Sequence, residues 1–317
     1  MEYRYSGKSG LQLPLISLAL WHNFGSVDPY DNARAMLLRA WEQGITHFDI
    51  ANNYGPEPGS AETTFGRVLR EDLAAHRDEM IISSKAGYLM WNGPYGDGGS
   101  RKYLMASCNQ SLRRTGLDYF DIFYSHRYDP NTPIEETMQA LVDIVHAGKA
   151  LYAGISNYPA DKQQECYDYL RAAHVPCVIS QYKANMLFED TLRNNLSVAE
   201  ENGSGFICFS PLAQGLLTDR YLHGIPEGSR ATKEVFLHRA QITEDVIART
   251  RRLSEIAASR GQSVAQMALA WLLAHEGVTS VIVGASSVAQ LDNNLHSVNN
   301  ITFSEHELQA IRRAIAE

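Results

Sequence analysis

Cysteine is scarce: the 317-residue chain has four, Cys108, Cys166, Cys177 and Cys208, and no two of them form a C-x-x-C pair. That scatter argues against a disulfide framework, and with no cysteine and histidine cluster at zinc spacing no structural metal is expected. Reduced thiols, and with them a cytoplasmic location, are the expectation. Long apolar runs are lacking too. No uncharged stretch approaches the ~18 residues of a membrane span, and "MEYRYSGKSGLQLPLISLAL" has no basic region leading into an apolar core and cleavage site. Positive charge is in deficit, with 28 Lys and Arg against 36 Asp and Glu, which disfavours nucleic acid or an anionic membrane surface as partner. A Gly-rich G-x-G-x-x-G turn is missing after the first apolar stretch, where the residues read "WHNFGS", so a doubly wound dinucleotide-binding sheet is the weaker architecture. Neither a linker nor a low-complexity segment divides the chain, and one domain over residues 1–317 is expected.

What is present is alternation. "YRYSGKSGLQLP" reads as a short hairpin leading into a buried strand near Ile16 to Leu20. "DNARAMLLRAWEQG" places Ala33, Leu37, Leu38 and Trp41 at helical spacing and stops at Gly44, and "THFDIA" follows as a strand. The phrase then repeats. Helix-like segments precede the apolar strands "EMIISSKAG", "YFDIFYSH", "ALYAGISN", "CVISQYK" and "GFICFSPL"; after a turn-rich section from Ala213 to about Thr243 and two more helices comes "TSVIVGA". The last helix opens with a capping-box pattern at Ser304 and Glu307. Eight such strands over a chain of this length predict an α/β fold, a (β/α)8 TIM barrel with an N-terminal β-hairpin and a long loop on the C-terminal side.

In such a barrel, chemistry gathers where the strands end. Asp49 closes "HFD", Lys85 closes "ISSK" and His126 follows "FYS", each about one βα unit from the last, while Tyr54 lies in the loop after Asp49. These four should converge. Lys85 would pair with Asp49, and its ammonium near the Tyr54 phenol would lower the tyrosine pKa from about 10. His126 could hydrogen-bond a substrate carbonyl and share the proton load. A carbonyl that takes a proton from Tyr54 needs hydride at carbon, which no side chain supplies, so a nicotinamide is implied.

The set Asp49, Tyr54, Lys85 and His126, with D-x4-Y spacing, resembles the catalytic tetrad of the aldo-keto reductases. The likeness runs along nearly the whole chain, through "SLRRTGLDYFDIFYSHRYDPNTPIEETM", "GISN", "SQYKANMLF", "FSPLAQGLLTDRY" and "VIVGASSVAQLDNN". "LWHNFG", "NNYGPEPGSAE" and "WNGPYGDGGSRKYL" are most similar to the branch with bacterial L-glyceraldehyde 3-phosphate and methylglyoxal reductases, near the potassium-channel β-subunits. The resemblance implies NADPH-dependent reduction of small aldehydes, NADP(H) as cofactor, and a homo-oligomer, tetramer or octamer. It places Ser156, Asn157 and Gln181 at the nicotinamide carboxamide and Ser210, Pro211, Leu212 and Gly215 along the pyrophosphate. Arg220, Arg230, Gly284, Ser286, Gln290 and Asn294 fall where relatives bind the 2'-phosphate and adenine. Ser287 and Asn293 depart from the pattern, standing where some relatives have a basic and an acidic residue. Trp21, His22, Tyr88, Trp91, Tyr95 and Arg127 are available for the substrate pocket.

Two other readings differ in class. A nicotinamide-binding regulatory module like the channel β-subunits is disfavoured by His126, where those relatives carry asparagine. A barrel hydrolase would need a second carboxylate, but Glu57 and Glu62 end no neighbouring strand.

Overall fold

The computed structural model describes residues 1–316 apart from 223, 228, 230, 231 and 233–236. Eight parallel strands close into a barrel: β3 (Ile16–Ala19), β4 (His47–Asp49), β5 (Ile81–Ala86), β6 (Phe120–Ser125), β7 (Ala150–Ser156), β8 (Cys177–Lys183), β9 (Gly205–Phe209) and β10 (Val278–Val283), the last pairing back onto β3. These are the eight strands expected from the sequence. The hairpin is also present, as β1 (Tyr3–Tyr5) antiparallel to β2 (Gln12–Pro14). Its turn docks at the amino-terminal end of the barrel, where Lys8 N–H donates to the Gly203 carbonyl at 2.9 Å. Gly7 sits at φ +56°, and a Cβ there would meet the Gly203 oxygen at 2.1 Å, so both conformation and space require glycine.

Among the described residues the helices are α1 (Tyr30–Glu42), α2 (Ser60–Val68), α3 (Arg101–Thr115), α4 (Ile134–His146), α5 (Ala160–Ala172), the short α6 (Asp190–Asn194) and α7 (Leu196–Glu201), then α8 (Glu244–Ser259), α9 (Val264–Leu273), α10 (Val288–Leu295) and α11 (Glu305–Ala316). Their ends carry the signals read in the sequence. Ser304 N–H donates to Glu307 at 2.7 Å while Glu307 N–H donates back to Ser304 Oγ at 3.3 Å, the reciprocal pair of a capping box. α1 buries Ala33, Met36, Leu37 and Ala40, and Gly44 leaves it at φ +80°. Leu38 and Trp41 are only partly buried, so the buried stripe is rotated toward Met36 and Ala40.

The larger core lies between the strands and the ring of helices, with Phe48, Phe65, Phe120, Phe123 and Phe206 all essentially inaccessible. Burying a side chain of this kind stabilises by about 1.5–3 kcal/mol. A second cluster fills the lumen with Leu11, Leu13, Ile122, Tyr124, Val178, Ile179, Ile207 and Ile282. Gly154 of β7 makes room for it, since a Cβ there would lie 2.6 Å from the Tyr124 ring. Of the turn-rich section, the described part includes single turns at Ala213–Gly215, Asp219–Tyr221 and Arg239–Gln241. No helix among the described residues is long and apolar enough to cross a membrane.

Candidate active site at the carboxyl ends of the strands

Parallel register brings the ends of β4, β5 and β6 together: Asp49 pairs with Ser83, and Lys85 with Tyr124. Lys85, fully buried, donates from Nζ to Asp49 Oδ2 at 2.5 Å and to the Ile50 carbonyl at 2.8 Å. The other carboxylate oxygen, Oδ1, accepts from Ser83 Oγ at 2.8 Å and from Gln181 Nε2 at 3.0 Å. An ion pair this deep persists only when the remaining lone pairs are satisfied, and here Ser83 and Gln181 satisfy them. Tyr54 stands over the pair, its ring centroid 4.9 Å from Lys85 Nζ and 5.9 Å from the His126 ring. The four expected residues therefore meet at one mouth.

Loop 50–59 is held in place by α2. Glu62, fully buried, accepts from Ser84 Oγ at 2.6 Å and from Arg114 Nε at 2.7 Å. This ties the segment after Tyr54 to β5 and α3.

One electrostatic expectation is reversed. The Tyr54 pKa is raised well above its ordinary value, by burial first and by the Asp49 charge second. Asp49 neutralises the ammonium that was to lower it, so desolvation of the phenolate prevails. Tyr54 is thus a protonated phenol throughout the neutral range. The Lys85 pKa is lowered by burial, an effect that Asp49 opposes. His126 is pushed well below its usual pKa by burial, then by Lys85 and Arg127. Its imidazole is neutral and suited to donating a hydrogen bond, in place of the shared proton load expected from the sequence.

Going round the barrel, β7, β8, β9 and β10 follow this mouth, and they carry the residues expected to hold a dinucleotide. Ser156, Asn157 and Gln181 are adjacent: Asn157 N–H donates to the Gln181 carbonyl at 3.3 Å, and its side-chain amide to Ser156 Oγ at 3.0 Å and the His126 carbonyl at 3.1 Å. After β9, Ser210, Ala213 and Gln214 have φ of 53°, 47° and 60°, and Gly215 99°. Left-handed backbone at non-glycine residues costs about 1–3 kcal/mol each and gathers at ligand-binding segments. Asn185 braces this turn by donating to the Ser210 carbonyl at 3.0 Å. After β10, a Cβ on Gly284 would have nothing within 4 Å, and the buried Asn294 Nδ2 has no hydrogen-bond partner among the described residues. Open space, a turn of unusual backbone and an unused amide donor fit an extended ligand rich in acceptors. Ser286 and Gln290 bond each other at 2.8 Å, while Arg220 is exposed. Arg230 lies outside the described residues.

Of the substrate-pocket expectations, Trp21 lies 4.1 Å from the His22 ring and 6.4 Å from the Tyr54 ring, and Tyr88 meets His126 edge-on at 4.7 Å. Arg127 is close, its guanidinium 5.3 Å from the Tyr88 ring centroid and bonded to the Gly87 carbonyl and to Asp97, both at 2.8 Å. Trp91 packs on Tyr103 at 5.5 Å, and Tyr95 is 52% exposed, its ring 5.1 Å from Lys102. A cleft of about 570 Å³, lined by Arg4, Lys8, Glu200 and His275 among others, lies at the opposite end of the barrel, away from this chemistry. No group of three or more His, Cys, Asp or Glu that could hold a metal occurs among the described residues.

Sequence reasoning passed over Ser83 and its neighbour His47. Both stand two residues before a polar strand end, "HFD" and "SSK", and the period of two was the available signal that they share the lumen-facing side.

A family model described as Aldo/keto reductase family matches residues 16–316. The chain is 56% identical to the L-glyceraldehyde 3-phosphate reductase of Escherichia coli O157:H7 and 55% identical to that of Escherichia coli strain K12, in each case over all of this chain and 93% of the relative. It is 34% identical to a probable voltage-gated potassium channel subunit beta of Arabidopsis thaliana, over 95% of this chain and 92% of that protein.

Proposed function

The chain belongs to the aldo/keto reductase family, and on that premise we propose that it reduces small aldehydes, of the L-glyceraldehyde 3-phosphate and methylglyoxal type, with NADPH. The observation that carries this reading is the buried Lys85–Asp49 pair beneath Tyr54 and His126 at the mouth of the barrel. When bound, the reduced nicotinamide supplies hydride to the carbonyl carbon.

The protein's own groups then account for the proton. Negative charge gathers on the carbonyl oxygen, and preplaced donors stabilise it. Neutral His126 donates a hydrogen bond to that oxygen and Tyr54 delivers its proton there. The raised pKa of Tyr54 does not hinder this, because an alkoxide is a much stronger base than a phenolate. Lys85 has two of its three N–H donors on Asp49 and Ile50, leaving the third for the Tyr54 oxygen as it becomes anionic. Ser156, Asn157 and Gln181 would hold the carboxamide, the turn Ser210–Gly215 the diphosphate, and Gly284, Ser286, Gln290 and Asn294 the adenosine, with Arg220 and Arg230 toward its phosphate. Arg127 presents a guanidinium suited to a substrate phosphate in exchange for Asp97.

Consumption of NADPH and NADH with L-glyceraldehyde 3-phosphate, glyceraldehyde and methylglyoxal, wild type beside Tyr54→Phe, tests this. NADPH turnover that falls roughly 100- to 10,000-fold in the variant, with cofactor affinity kept, is the expected result. Tight nicotinamide binding without turnover of any of these aldehydes by the wild type would defeat it.

A further inference from the structure

Beneath Asp49 the lumen holds a line of polar side chains that none of the steps above uses. Ser83 Oγ donates to Asp49 at 2.8 Å. His47 Nε2 lies 3.0 Å from Ser83 Oγ, His47 Nδ1 lies 2.8 Å from Ser17 Oγ, and Ser17 Oγ lies 2.7 Å from Ser280 Oγ. Ser17, His47, Ser83 and Ser280 are completely buried.

Counting protons fixes the direction of this line. A carboxylate that faces an ammonium only accepts, so Ser83 gives its single proton to Asp49. The remaining lone pairs of Ser83 must then receive N–H from His47 Nε2. A neutral ring protonated at Nδ1 would leave Nε2 and the carboxylate competing for one hydroxyl proton. With Nε2 protonated, Nδ1 accepts from Ser17, and Ser17 accepts from Ser280 over the shorter of that residue's two contacts, the other being the Leu15 carbonyl at 3.3 Å. An imidazolium would have to donate to Ser17 as well and reverse the line. Complete burial opposes that charge and, with Lys85, outweighs the attraction of Asp49, so the His47 pKa is lowered to about 4. Each O–H and N–H from Ser280 to Ser83 therefore points toward Asp49.

We infer that His47, held as the neutral Nε2–H tautomer by Ser17, is a positioning residue of the reaction, fixing the Asp49 carboxylate through Ser83 in the orientation that Lys85 uses. The inference rests on the role given above to Lys85, paired with Asp49, in supporting proton delivery by Tyr54. It is distinct from a merely filled core, because an apolar lumen would satisfy packing but leave Asp49 Oδ1 with Gln181 as its remaining side-chain donor.

Nitrogen-15 NMR of histidine-labelled, cofactor-free protein reads the tautomer directly. His47 should show a protonated Nε2 and an unprotonated Nδ1 at neutral pH; a protonated Nδ1 in either the neutral or the charged ring overturns the inference. In steady-state kinetics Ser83→Ala should lower kcat about ten- to a hundredfold, the loss of one hydrogen bond to a charged group, with KM and nicotinamide affinity unchanged. Ser83→Thr, which keeps the hydroxyl, should recover most of that loss. A folded Ser83→Ala protein with wild-type kcat, or a Ser83→Thr protein as slow as Ser83→Ala, would also sink it. Should the wild type reduce none of the aldehydes, the proposed function fails visibly on its own, and the positioning role goes with it whatever tautomer is found.

Discussion

The two sides of the barrel lumen are built on opposite principles. On β6, β8 and β9 the inward residues Ile122, Tyr124, Ile179 and Ile207 join Leu11 and Leu13 of the hairpin region in an apolar cluster. On β3, β4, β5 and β10, apart from Ile282, which joins the apolar cluster, the corresponding space is taken by Ser17, His47, Ser83 and Ser280, linked end to end by hydrogen bonds. Apolar burial is non-directional and tolerates small changes of shape. A buried polar line is directional and must be completed, since each unpaired group in a low-dielectric interior costs about 1–3 kcal/mol. The polar side leads to Asp49 and Lys85, so the lumen divides into a half that mainly stabilises and a half that holds charge in place.

Breaking the charged end gives the largest effect. Lys85→Met leaves the Asp49 carboxylate buried opposite a thioether, and stability measured by urea unfolding should fall by about 3–5 kcal/mol. Lys85→Met combined with Asp49→Leu should regain part of this while remaining inactive, because the uncompensated charge has gone with its partner. An additive double-mutant cycle would contradict the picture of one coupled pair.

Acid acts next, on the middle of the polar line. His47 titrates near 6.5 when unfolded but at about 4 when folded, so between those values the unfolded chain binds more protons and stability falls as pH falls. The loss approaches ~1.4 kcal/mol per pH unit, about 3 kcal/mol across the window. The charges facing His47 are Asp49 and Lys85, which act in opposite senses, and its other neighbours on β3 and β5 are serine hydroxyls. His126, also depressed, adds to the same slope. Urea midpoints followed across the window should therefore show a shallower, but not abolished, acid dependence in His47→Gln than in the wild type.

The smallest effect belongs to the apolar half. Ile207→Val removes one methylene from a completely buried position and should cost about 0.5–1.5 kcal/mol with kcat unchanged. A kcat change as large as that of Ser83→Ala would mean that the two halves are not separable in function.

How much of this was legible in the chain differs by level. The alternation of apolar strands and amphipathic helices was enough to predict the barrel, because strands covered by helices on one side and closed on themselves must be apolar along most of their length. Asp49, Lys85 and His126 were legible because each is a polar side chain at a strand end, where an otherwise apolar run stops, and Tyr54 because it lies in the loop directly after Asp49. The turn at Ser210–Gly215 was placed only through resemblance, since backbone of positive φ at serine, alanine and glutamine has no signature in residue type.

The sequence by itself determined which side chains exist and, through periods of two and 3.6, which of them share a face. Closure of the barrel decided the rest. It placed Gln181 of β8 against Asp49 of β4, residues 132 apart in the chain, and Ser280 of β10 against Ser17 of β3, 263 apart. It also decided the sign of the shift at Tyr54. A sequence shows a lysine near a tyrosine, but only the folded arrangement shows that an aspartate has already neutralised that lysine and that burial, helped by the Asp49 charge, holds the phenol's proton in place.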